Sequence, residues 1–192
     1  KKNLTNKALI VHAIEQYHDG FIFDLASKDK DIRNISLKRF DELAIHCKKL
    51  IDHLGTSEPL KIVLNCGGFT KNNFCNIDTY KEKKKFLYKT LNFLKDKYPD
   101  FKILPQTMPP FPWHQGGTSF HNLLRSSEDI KELNKETGLS VCFDFSHTFM
   151  ESKYAEIDFN KKFLEIIQFA DHLHLSDSSS SSNEGLNIDD GS

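Results

Sequence analysis

Two short stretches carry the residues best suited to chemistry. LSVCFDFSH at 139–147 ends an apolar run on Asp144 and brings His147 three residues later. HLHLSD at 172–177 repeats the design with His174 and Asp177. Carboxylate and imidazole together are ligands for a borderline divalent ion such as Zn, Mn or Co, and either can move a proton. Side chains alternate along a strand, so His172 and His174 share one face. His174 lies nearer the strand end and is the better ligand; His172 lies deeper and reads as structural. Other apolar runs end the same way: ALIVHAI at 8–14 carries His12, LKIVLN at 60–65 ends on Asn65, and the run from Phe101 reaches Gln106. Trp113 and His114 sit in a stiff proline-rich loop, TMPPFPWHQGG at 107–117, of the kind that walls ligand pockets.

The elements that position these residues follow from periodicity. Strand starts near residues 8, 60, 102, 139 and 172 alternate with helical patterns. The first helix is expected over 35–54, with Ser36 as N-cap and Gly55 beyond its end. The second is capped by Asp78 and runs to about 98. A short helix capped by Ser126 or Ser127 ends at Gly138, a polar connection follows His147, and Asp158 caps the last helix. Alternating strands and helices mean parallel βαβ units, whose strand ends share one face in a barrel. The fold class is therefore α/β, a (β/α)8 TIM-barrel type. Five units in 192 residues fall short of a full barrel, so an incomplete one is expected, truncated at one or both ends. An open flavodoxin-like sheet is the alternative; no GxGxxG or Gly-rich phosphate loop follows any strand. The serine tract at 178–183 is expected to be a mobile loop.

Composition narrows the partners. Twenty-six basic and 27 acidic side chains give a net charge of −1, which argues against a nucleic-acid partner. The lysine run at 81–85 has no interleaved aromatics and reads as a solvated outer face. No apolar run is long enough to span a membrane, and no signal peptide is visible. Four cysteines without CxxC spacing suggest reduced, buried thiols in a cytoplasmic protein.

The DxxH of Asp144 and His147, the HLSD after an apolar run, and the tail EGLNIDDG at 184–191 together resemble the xylose isomerase-like barrel superfamily. That superfamily holds sugar and sugar-phosphate isomerases and epimerases, and also endonuclease IV. The resemblance covers most of the chain in strand order. It implies a divalent metal (Zn, Mn, Co or Mg) at the C-terminal mouth of the barrel, held in the isomerases by Glu, Asp, His and Glu. Asp144 and His174 match the Asp and His, and Gln106 stands where the first Glu is expected. His147 matches a histidine that contacts substrate. His12 and Asn65 stand where endonuclease-like members carry histidines. The last Glu would lie beyond Ser192. The resemblance thus implies metal-assisted proton transfer beside a carbonyl on a carbohydrate, with His147 and Glu184 as catalytic candidates. His12, Asn65, Trp113, His114 and Asp177 are the candidates for substrate binding. The alternatives are a non-catalytic carbohydrate-binding barrel or module of a larger protein, and an endonuclease IV-like phosphodiesterase.

Overall fold

A computed structural model describes residues 9–55, 58–111, 119–180 and 183–191. Trp113, His114, Ser181 and Ser182, on which expectations fall, lie outside the described residues. The elements run β1 (Ile10–His12), α1 (Lys30–Leu54), β2 (Leu60–Leu64), β3 (Thr70–Lys71), α2 (Ile77–Lys97), β4 (Phe101–Pro105) and β5 (Ser119–Phe120). They continue with α3 (Ser127–Thr137), β6 (Val141–Asp144), α4 (Phe145–Ala155), α5 (Phe159–Ile166), a 3-10 turn and β7 (Ala170–His174). β1, β2 and β4 pair in parallel, as do β6 and β7. A parallel bridge between Gln106 and Cys142 joins the two sets. The strand order is therefore β1-β2-β4-β6-β7, a partial barrel of five parallel strands. β3 and β5 form a separate antiparallel pair.

Strand alternation sorts the buried residues into two clusters. Ile62, Leu64, Ile103, Val141 and Phe143 pack against the helices, with Phe40, Leu87, Leu91, Leu94, Ile130 and Leu133 opposite them. Val63, Leu104 and Cys142 point the other way and form a small apolar tier of their own. On the same faces of β2 and β4, two residues back, lie Lys61 and Lys102, which pair with Asp171 at 3.4 and 2.7 Å. Two residues forward from that tier come Asn65, Gln106 and Asp144, at the C-terminal strand ends. The inner face is thus layered as charged, apolar and polar, and the polar layer is the mouth.

Local signals explain the helix starts. Asp29 caps α1, its carboxylate accepting Asp31 N–H at 2.7 Å. Asn76 caps α2 at 2.9 Å to Thr79 N–H, Ser126 caps α3 and Asp158 caps α5. Gly55 and Gly138 close α1 and α3 in the left-handed conformation, with φ of 64° and 69°. Two expected caps are corrected. Ser36 lies inside α1, fully buried, where its hydroxyl accepts Asp24 N–H at 3.0 Å. Asp78 sits in the first turn of α2 rather than at its cap. The expected polar connection after His147 is the helix α4, whose buried residues include Ser146, Thr148, Glu151 and Ser152. Gly67 and Gly68, at φ 79° and 90°, bring the chain onto Asp24 rather than onto a ligand: Gly68 N–H donates to its Oδ1 at 2.8 Å.

Candidate functional site

Asp144 ends β6 and caps α4 at once. Its Oδ1 accepts His147 N–H at 3.0 Å, so the DxxH spacing is also that of a capping residue and its N3 amide. Its Oδ2 accepts the Gln106 amide at 2.9 Å. Its own N–H donates to Thr107 Oγ1 at 2.9 Å. The residue is 5% exposed. Burial pushes its pKa up, but the rings of His147 and His174 and the His147 amide outweigh burial and hold it below the usual carboxylate range.

His147, in the first turn of α4, is held between two acceptors. Nδ1 donates to the Thr107 carbonyl at 2.8 Å, and Nε2 faces Glu184 Oε2 at 3.0 Å. An imidazole with acceptors at both nitrogens carries both protons. Burial opposes that charge, but the carboxylates of Asp144 and Glu184 raise the pKa to about 9. Glu184 reaches the ring from the segment after β7.

Gln106 links the mouth together. Oε1 lies 3.0 Å from His12 Nε2, and Nε2 lies 3.2 Å from His174 Nδ1. His174 Nδ1 is 3.4 Å from Asp144 Oδ2. The His12 and His174 rings stack at 5.7 Å, and His172 meets His174 edge-on at 5.2 Å. One tier below, burial pushes the Cys142 thiol up to about 12, with the Asp144 charge adding to it.

The fold therefore brings His12, Gln106, Asp144, His147, His174 and Glu184 into one connected group. Asn65 is at the same layer, but its amide donates to Glu15 at 2.7 Å, leaving a buried Oδ1 with no partner among the described residues. Asp177 engages its own loop. Its carboxylate accepts the N–H groups of Ser178, Asp189 and Gly191 at 2.8, 3.1 and 3.2 Å. These contacts tie together the loop that carries Glu184. Ser178, expected in a mobile loop, is buried, and its hydroxyl donates to the Ser146 carbonyl at 3.4 Å. Sequence reasoning missed Thr107, which fixes both Asp144 and His147; its one signal was its place directly after Gln106. It also missed the buried Arg125–Glu151 ion pair behind α4, at 2.7 Å.

The mouth suits a cation. Asp144 and Glu184 are both acidic and His147 is the cation that faces them, so the three sum to one negative charge. The ends of Gln106, Asp144 and His174 converge at 2.9, 3.2 and 3.4 Å, the spacing of ligands around one ion. The present amide orientation sets an N–H toward Asp144. Turned over, the same amide offers its oxygen to the ion and its N–H to His12, whose Nδ1 already lies 2.8 Å from the Ala13 carbonyl.

Among the described residues, no helix is long and apolar enough to cross a membrane. No curated protein matches the chain in sequence. Among solved structures, L-ribulose 3-epimerase matches at 16% identity and a TM-score of 0.54, over 88% of this chain and 50% of that one. Endonuclease IV from Thermus thermophilus matches at 16% identity and a TM-score of 0.55, over 96% of this chain and 58% of that one. The chain thus spans 50% and 58% of the length of these structures, and the likeness is one of fold. The family model for the xylose isomerase-like TIM barrel matches residues 1–192, so the chain belongs to that family.

Proposed function

We propose that this chain carries the site of a divalent-metal-assisted isomerase or epimerase acting on a sugar or sugar phosphate. The observation that carries the reading is the convergence of Gln106, Asp144 and His174 within 3.4 Å at the strand ends of a barrel of this family. Asp144, ionised and buried, supplies the charge; His174 and the Gln106 amide complete the protein's share of the ligands. A bound Zn, Mn, Co or Mg ion would polarise a carbonyl and its neighbouring hydroxyl. His147 holds a proton at Nε2 against Glu184, 3.0 Å away. Glu184 is the carboxylate placed to accept a proton, and His147 is its donor and orienter. His12 and Asn65, at adjacent strand ends, face the hydroxyls of a carbohydrate. Four free cysteines, three of them buried, suit a reducing compartment such as the cytoplasm.

One observation favours a second reading, a barrel that binds carbohydrate without turnover. Gln106 is a neutral amide with no capacity to move a proton. The test is metal content by mass spectrometry on protein purified without added metal or chelator, beside Asp144→Ala and His174→Ala. Zn, Mn or Co that falls below the parent's content in both variants is expected, in Asp144→Ala by the share held at the mouth. Full metal content in Asp144→Ala would move the site elsewhere, and no uptake of any ion would leave the binding reading.

A further inference from the structure

One tier below the mouth, the strand register assembles a different donor set. Cys142 on β6 lies directly opposite His172 on β7. His172 and His174 share a face because they are two residues apart. One donor atom from each of Cys142, His172 and His174 lies within 4.8 Å of the others, the one such group of three among the described residues. Val63 and Leu104 pack with Cys142 and make the surroundings apolar. We infer that Cys142, His172 and His174 form a thiolate–imidazole site for a borderline divalent ion, Zn²⁺ or Co²⁺, inside the barrel and distinct in chemistry from the oxygen-bearing mouth.

One sulfur and two nitrogens are the donors such ions prefer, in a tetrahedral set whose fourth position is left to water. Mg²⁺, a hard ion, has no affinity for this set. On binding, a bond forms between the ion and the Cys142 sulfur, and the thiol proton passes to solvent with no change of oxidation state. An apolar shell excludes competing water from the sulfur. The proposal shares His174 with the mouth but does not rest on the isomerase reading, because neither Cys142 nor His172 belongs to it.

The test is titration of the full chain with Co²⁺ alone, followed by absorbance. A thiolate ligand gives a sulfur-to-cobalt charge-transfer band in the near ultraviolet, which oxygen and nitrogen ligands do not. The band is expected in the unaltered protein and in Asp144→Ala. It is expected to disappear in Cys142→Ala, and also in His172→Gln, whose half-exposed side chain tolerates replacement should the buried alanine variant fail to fold. Visible cobalt absorbance without the charge-transfer band would overturn the proposal and leave the ion at the mouth. No cobalt absorbance at all would overturn the proposal and leave the mouth, whose reading admits Mn or Mg, to the metal-content test. A band that survives in His172→Gln and Cys142→Ala would place the sulfur on another cysteine and also overturn it.

Discussion

Lys162, on α5, is a buried charge, 2% exposed, whose Nζ has no hydrogen-bond partner among the described residues. Glu151 is nearby, but Arg125 already engages both of its oxygens, at 2.7 and 3.0 Å. Burial therefore lowers the ammonium pKa from 10.5 to about 8, the Glu151 charge opposing it only in part. That difference corresponds to about 3 kcal/mol of folding free energy. Its sign follows from linkage. The unfolded chain keeps this proton up to pH 10.5, whereas the folded chain releases it near 8. The cost is fully present below pH 8 and is relieved as pH rises from there to 10.5. Lys162→Met keeps the stem and removes the charge. At pH 7 the variant should be more stable than the parent by about 3 kcal/mol, and the gap should close toward pH 10.5. Urea denaturation followed by circular dichroism, on both proteins across that range, reads the difference directly. A variant less stable than the parent at pH 7, or a gap that does not change with pH, would refute the reasoning.

Arg125→Met removes the partner of Glu151, a carboxylate only 6% exposed, and should cost about 3 kcal/mol or more in the same assay; a neutral result would mean that Lys162 takes over the pairing. Gly67→Ala places a Cβ 2.3 Å from Asp24 Oδ1 at a φ of +79°, so a loss of at least ~2 kcal/mol in urea denaturation is expected. A change under half that size would show that the Asp24 loop yields. Asp177→Ala removes the carboxylate that accepts three backbone N–H groups in the loop that carries Glu184. Limited proteolysis should then cut within 178–191 faster than in the parent, and an unchanged rate would count against Asp177 as the loop's organiser.

Much of the fold was legible because it rests on local rules. The αL glycines at 55 and 138 and the Ser126 and Asp158 caps are short-range features, and each stands where its residue type requires. α1 begins earlier than expected because Asp29 caps a charged first turn that reads as loop. α4 was hidden because its inner face is polar: Ser146, Thr148, Glu151 and Ser152 are buried through hydrogen bonds and the pairing of Glu151 with Arg125, partners that lie far away in sequence.

The same division runs through the site. By itself the sequence determined that polar residues sit toward the strand ends, because apolar runs that carry His12, Asn65, Gln106, Asp144 and His174 at or near their ends are countable without coordinates. It also determined that His172 and His174 share a face, since strand geometry has a period of two. Only the tertiary structure decided what those residues meet. Thr107 binds His147 across 40 positions, and Glu184 reaches the same ring from beyond β7. Asp177, identical in kind to Asp144, folds back on its own loop. Cys142 meets His172 through the register of two strands whose pairing includes an irregularity after Val141. Propensity and periodicity act over a few residues, whereas hydrogen bonds and ion pairs at a barrel mouth depend on strand order and register, which the packing of the whole core sets.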